Sequence, residues 1–408
     1  MEKPLNLPHF FFMPTMGCVA KCRYCYSPVS SQKMNEETLK QTISWIKASV
    51  DSFIQENHND FTGMSVPYLR FTYHGGEPLL MGKEFIKNSL EQLDAMEIPF
   101  EKHISLQSNL WLLDEEFCRL FKEYKINVGT SLDGPEEITD KQRGKGYFQK
   151  TMKSIELLRK NDIPVSCICT FTKENAPYYE EIFNFFMKEN LNFKFFMVQP
   201  TMDKDFESDL SLNCKEQSEL VESLLQLYLL NPGKIRIHTL DIHCLSLTAR
   251  FSGGFVQGNC IGRQIAIGPD GGIYNCQMFV GHEKYKWGSV LDTHSLSDVY
   301  QMPSWMEFQE WQSNQKHHCR DCSYVDICTG GCIFNAIMAN GGLLDTNKKD
   351  SNCQAYQETM NAVNTMQEQA MSLSEQNDPG STNYSEKHLA VLKSFRALLK
   401  AYWKNRTS

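Results

Sequence analysis

From residue 9 to about 200 the chain alternates between two hydrophobic periods. Short apolar and aromatic runs over 9–15, 68–73, 102–107, 127–132, 164–170 and 193–198 predict strands. Between them apolar residues recur at helical spacing near 36–57, 82–95, 114–124, 148–160 and 177–189. Regular strand–helix alternation implies a parallel sheet. Six units are too few to close an eight-stranded barrel, and a partial (β/α)6 TIM-like barrel fits the count. An acidic, polar stretch follows from 201, then an amphipathic helix over 218–230. After a polar linker at 372–383, a last amphipathic helix carries Leu389, Leu392, Phe395, Leu399 and Tyr402 on one face.

Cysteine usage changes this picture. The chain holds 15 cysteines and no N-terminal export signal, which argues for metal binding over a disulfide framework. Cys18, Cys22 and Cys25 stand in a C-x3-C-x2-C string directly after the first strand, with Tyr24 before the last thiol. Three thiolates on one loop leave one iron of a four-iron cluster without a protein ligand. An open metal position is where a substrate or co-substrate binds. A zinc knuckle would need a fourth ligand close by, and none follows Cys25 for many residues.

This string resembles the signature of the radical S-adenosylmethionine (SAM) enzymes, and later motifs agree in order and kind. Gly75-Gly76-Glu77-Pro78 resembles the family's motif after the second strand. Gln107-Ser108-Asn109 and Ser131-Leu132-Asp133-Gly134-Pro135 resemble the ends of the third and fourth strands. The resemblance implies SAM chelated by the unique iron. It assigns Tyr24, Gly75, Gly76, Glu77, Gln107, Asn109, Ser131 and Arg143 to cofactor binding, with Glu77 on the ammonium and Arg143 on the carboxylate. Physically, glycines at 75 and 76 let backbone approach a ligand closely, and Arg143 suits a carboxylate. No side chain is assigned as catalytic beyond the cluster-bound SAM.

Seven more cysteines, Cys260, Cys276, Cys319, Cys322, Cys328, Cys332 and Cys353, resemble a SPASM domain with two auxiliary [4Fe–4S] clusters. A hairpin over 265–274, with a Pro-Asp-Gly-Gly turn, would bring Cys260 and Cys276 together. Seven thiols divide poorly into zinc sites. By position in relatives, Cys319, Cys322, Cys328 and Cys353 would hold the outer cluster and Cys260, Cys276 and Cys332 the inner one. Relatives with a fourth inner cysteine carry it where this chain has Gly253, Gly254 and Phe255. Cys244 is the nearest spare thiol. Cys118, Cys167, Cys169 and Cys214 read as packing residues. The expected organisation is a barrel over 8–210, a helical linker over 211–250, the SPASM domain over 251–356 and a helical extension over 357–408.

The resemblance implies an oxidoreductase with three [4Fe–4S] clusters and SAM, acting on a ribosomally made peptide. Sulfatase maturases, which oxidise Cys or Ser to formylglycine, place an Asp after the second auxiliary cysteine, where this chain has Gln277. The segment Asn275 to Gly288 resembles maturases that form Cys thioethers, so a thioether cross-link is the expected product. Formylglycine formation, a C–C cross-link, a small-molecule dehydrogenase and a non-catalytic metal scaffold are the alternatives. Expected partners are the precursor peptide, an electron donor such as flavodoxin or ferredoxin, and a separate leader-binding protein, because the barrel begins within ten residues. The basic C-terminal helix is a further place for peptide docking. A net charge of −8 without a long basic run argues against nucleic acid. No apolar stretch is long enough to span a membrane, and the thiols suit a reducing cytoplasm.

Overall fold

The computed structural model describes residues 7–56, 68–199, 210–250, 260–372 and 386–406, with side chains of the last segment from 390 to 400. Six strands, β1 (His9–Phe12), β2 (Leu69–Tyr73), β3 (Lys102–Gln107), β4 (Asn127–Ser131), β5 (Val165–Phe171) and β6 (Phe193–Met197), pair in sequence order. Every pairing among them is parallel. The connecting helices are α1 (Glu36–Glu56), α2 (Lys83–Asp94), α3 (Glu115–Glu123), α4 (Glu136–Arg143), α5 (Tyr147–Lys160) and α6 (Tyr179–Lys188). The expected elements are all present. The short α4 went unpredicted because its sequence is polar along its length; it ends where Gly144 and Gly146 take φ of +106° and +79°.

The alternating pleat separates two environments. On β5, Cys167, Cys169 and Phe171 are fully buried beneath the helices, while Ser166, Ile168 and Thr170 face the other way. Cys118 is equally buried, so these three cysteines pack in the cores as expected; Cys214 is half-buried at the start of a helix.

The sheet does not stop at β1. β7 (Gln264–Ile267) pairs with β1 in parallel, His9 opposite Gln264 and Phe12 opposite Ile267. β8 (Gly272–Tyr274) returns antiparallel to β7, and β9 (Gly288–Ser289) follows, giving a nine-stranded sheet. The predicted hairpin is thus present, and it continues the barrel sheet. Pairing β7 removes an exposed strand edge at β1. Ile265, Ala266 and Ile267 are fully buried, as in a strand covered on both faces.

The remaining helices are α7 (Cys214–Leu230), α8 (His238–Ala249), α9 (Leu296–Val299), α10 (Pro303–His318), α11 (Val325–Cys328), α12 (Ile333–Ala339), α13 (Cys353–Ser372) and α14 (Glu386–Arg406). α7, α13 and α14 pack on one another, and α6 packs on α7. Val391, Leu392, Phe395 and Leu399 of α14 join Leu224, Met360 and Val363 in a common core. The predicted buried face of the last helix therefore exists for Leu392, Phe395 and Leu399; the side chains of Leu389 and Tyr402 lie outside the described residues.

Candidate active site

The loop between β1 and α1 carries Cys18, Cys22 and Cys25 at the C-terminal end of the sheet. The β2 loop grips it from below. Gly76 N donates to Thr15 O (3.0 Å) and Glu77 N to Gly17 O (2.7 Å). A Cβ on Gly76 would lie 2.2 Å from Gly17 O, and one on Gly75 would lie 2.5 Å from Thr15 O. These glycines thus make their close approach to the cysteine-loop backbone, where the sequence pointed to a ligand.

The three thiols feel one another electrostatically. Burial pushes the Cys22 thiol up to about 12, and iron must displace such protons to bind. Cys18 Sγ faces Ala20 N (3.4 Å) and Asn109 Nδ2 (3.8 Å), and Cys22 Sγ lies 4.0 Å from Arg143 Nη1.

Glu77 is fully buried and turned inward. Its carboxylate accepts from Leu79 N (3.0 Å), Ser108 Oγ (2.7 Å) and Asn109 N (2.8 Å). Burial lifts its carboxyl to about 7 against the pull of these bonds. The expected partner of an ammonium thus already holds three protein donors, and these bonds tie the β2 loop to the end of β3. Gln107 Nε2 donates to Ser131 Oγ (3.1 Å), which joins the ends of β3 and β4.

Arg143 is likewise engaged. Its Nε and Nη2 chelate Asp133 at 2.8 Å each, leaving Nη1 beside Cys22. The guanidinium lies 5.2 Å from the Tyr24 ring centre and 5.3 Å from that of Tyr147. Asp133 also accepts from Tyr24 Oη (2.7 Å) and Thr170 N (2.9 Å), so one buried carboxylate joins the cysteine loop, α4 and β5. Asp133, Tyr147 and Thr170 were not singled out from sequence. Asp133 stood inside a quoted motif, and its role there depends on partners up to 109 residues away.

The second cysteine array splits into two groups. Cys319, Cys322, Cys328 and Cys353 line one cavity of about 220 Å³ with Gly330, Gly331 and Tyr356. Cys332 instead lies within electrostatic reach of Cys260 and Cys276. The turn Gly330-Gly331, with φ of +102° and +89°, sends Cys328 and Cys332 to different sites. Asp350 Oδ2 accepts from Cys332 N (2.7 Å) and lies 2.7 Å from where Gly331 would carry a Cβ.

Cys244 does not join the second group. It is buried in the core of α7, α8 and α13, where the charge acting on it is Asp241. Gly253, Gly254 and Phe255 lie outside the described residues. Near the three-thiol group Asn275 Nδ2 donates to Cys260 Sγ (3.5 Å). The Asn275 Oδ1 and Gln277 Oε1 atoms are buried without a hydrogen-bond partner among the described residues, so the site retains polar capacity. Among the described residues no three His, Cys, Asp or Glu side chains meet at one point as single-ion ligands. Thiols spread around a cavity suit a cluster, in which each binds a separate iron, whereas zinc draws its ligands to one centre.

The radical SAM superfamily profile matches residues 12–186, and that of the SPASM iron–sulfur cluster-binding domain matches 260–323. An uncharacterized protein of Methanothermobacter thermautotrophicus is 36% identical over 234 residues, covering 57% of this chain and 84% of that protein. The chain belongs to the radical SAM superfamily. This radical SAM enzyme is also 25% identical over 354 residues to a cysteine-type anaerobic sulfatase-maturating enzyme of Clostridium perfringens, covering 84% of the chain and 92% of the relative. Its fold matches native anSMEcpe with bound AdoMet (SAM) at a TM-score of 0.73, with 22% identity over 88% of this chain and 97% of that one. Streptococcus suis SuiB bound to precursor peptide SuiA matches at 0.62, with 17% identity over 86% and 76%. Iron–sulfur clusters and SAM are thus its cofactor classes.

Proposed function

We propose that this radical SAM enzyme carries three [4Fe–4S] clusters and links a cysteine of a peptide to carbon as a thioether. SAM bound at the first cluster supplies, on one-electron reduction, a carbon radical that removes hydrogen from an unactivated C–H bond. Cys18, Cys22 and Cys25 would hold that cluster. Gln107, Asn109, Ser131 and Arg143 Nη1 would form the polar rim for SAM, with Tyr24 fixed by Asp133. Glu77, Gly75 and Gly76 would hold the loop that presents it.

The observation that carries the thioether reading is the three-thiol group of Cys260, Cys276 and Cys332 with Gln277 beside it. A cluster held by three thiolates keeps one position for an outside ligand, and a peptide cysteine has the matching chemistry. The carboxamide of Gln277 cannot serve as a carboxylate base. The four-thiol group would hold a closed cluster. A reducing cytoplasm suits these free thiols, and no described helix is long and apolar enough to cross a membrane. A separate leader-binding protein and a small electron-transfer protein complete the proposed set of partners.

The test is the mass of a short cysteine-rich peptide encoded beside the gene, after anaerobic co-expression, with and without thiol alkylation. Loss of hydrogen pairs with loss of alkylatable cysteines supports the thioether. Loss of hydrogen with every thiol still free rejects it. The second reading, oxidation of Cys to formylglycine, draws on the sulfatase-maturating relatives. It predicts an aldehyde on the Cp18Cys peptide, which the solved anSMEcpe complex contains.

A further inference from the structure

SAM cleavage at the first cluster consumes one electron, which a carrier must deliver close to Cys18, Cys22 and Cys25. A groove of about 690 Å³ opens beside that loop, between α5 and the segment that follows β3. Val19 of the cysteine loop, Trp111 and Leu112 form its apolar wall, and Lys150, Lys153 and Lys160 line the α5 side with Glu156. Val19 and Leu112 are 37% and 38% exposed. Lys160 pairs with Glu115 at 3.2 Å. Lys150 and Lys153 have no carboxylate within ion-pair distance among the described residues. On a chain of net charge −8 this is a local basic rim.

A chain of side-chain contacts joins the groove to the thiols. Lys150 Nζ sits 4.1 Å over the Trp111 ring, and that ring meets Tyr147 edge-on at 5.2 Å. Tyr147 lies under Arg143, whose Nη1 is 4.0 Å from Cys22 Sγ. A second line runs from Trp111 N to Asn109 Oδ1 (3.0 Å), and Asn109 Nδ2 is 3.8 Å from Cys18 Sγ. Val19 and Trp111 stand on the loops that follow β1 and β3, so the groove opens at the C-terminal end of the sheet, on the α5 side of the cysteine loop.

We propose that this groove is the docking surface for an acidic one-electron carrier protein, and that Val19, Trp111 and Leu112 form its contact nearest the first cluster. The carrier gives one electron to that cluster and leaves oxidised by one electron. The basic rim orients an acidic partner and speeds encounter. The small apolar wall gives a short-lived contact, as transfer partners need. The inference rests on the radical SAM reading and is indifferent to which peptide product forms.

The test titrates anaerobic holoenzyme with an acidic flavodoxin, measuring Kd at two ionic strengths and cluster reduction by stopped-flow absorbance. Wild type should bind more weakly as salt rises. The K150E/K153E double variant should raise Kd at least tenfold and slow flavodoxin-driven reduction equally, with dithionite-driven reduction unchanged. Leu112→Glu should also raise Kd, while Lys316→Glu on α10 should not. Absence of wild-type binding, unchanged Kd in K150E/K153E, or an equal loss in K316E overturns the docking surface. Failure of dithionite and SAM to yield 5′-deoxyadenosine in wild type would instead remove the radical SAM chemistry itself.

Discussion

Asp133→Asn tests the view that one buried carboxylate assembles the site. The wild-type carboxylate takes four donors: Tyr24 Oη, Thr170 N, and Nε and Nη2 of Arg143. An asparagine keeps one oxygen and turns an NH2 group toward two of those donors. It also leaves the Arg143 guanidinium, 5% exposed, without its counter-charge. Breaking one side of such a pair costs about 3–5 kcal/mol. Arg143→Met alone should cost a similar amount by stranding Asp133. The double variant should cost only about 1–3 kcal/mol, the value of leaving one of Tyr24 Oη and Thr170 N unsatisfied, since the introduced asparagine keeps an acceptor oxygen for the other. The assay is guanidinium unfolding of the cluster-free protein followed by circular dichroism, analysed as a double-mutant cycle. A cost under about 1 kcal/mol for D133N, or strict additivity in the cycle, refutes the reasoning.

Glu77 makes stability pH-dependent. Its carboxyl is raised from 4.5 to about 7 by burial, so between these values the folded state holds a proton that the unfolded state has lost. Its contribution is full below pH 4.5 and is lost as pH rises through 7, by about 3 kcal/mol. Glu77→Gln should flatten this slope in pH-resolved urea melts; an unchanged slope would show that another group sets it. Gly76→Ala forces a Cβ against Gly17 O, so reconstituted enzyme should fall from about twelve irons to about eight, as counted by ferrozine. Full loading would mean that the loop tolerates the shift. Cys328→Ala and Cys332→Ala should each remove about four irons and together about eight, because the two thiols serve different groups. A double variant that loses only about four would place them on one cluster. Truncation after Asn383 removes Val391, Leu392, Phe395 and Leu399 from the α7–α13 core. At about 1.5–3 kcal/mol each, the loss should expose an apolar face that binds the dye ANS. A truncated protein with no added dye fluorescence would return this helix to peptide docking.

What the sequence alone determined is whatever depends on local spacing. Strand and helix periods placed the six βα units within a few residues, because burial on one face repeats every two or every 3.6 residues. Cysteine spacing identified the first loop, and the Pro-Asp-Gly-Gly turn fixed the hairpin, since both are properties of contiguous chain. Tertiary structure decided who pairs with whom. Glu77 looked free to meet a ligand, yet Ser108 and Asn109, some thirty residues on, donate to its carboxylate. Gly76 looked like a place for backbone to approach a ligand, yet what it approaches is Gly17 O of another loop. Cys328 and Cys332 are four residues apart and part across Thr329, Gly330 and Gly331, which all take positive φ. Composition marked a change near 260, but β7 joins β1, because an unpaired strand edge is satisfied by whichever chain reaches it. The sequence named the reactive atoms through their spacing. Their neighbours came from far along the chain, where hydrogen bonds and sterics act through space and leave no periodic trace.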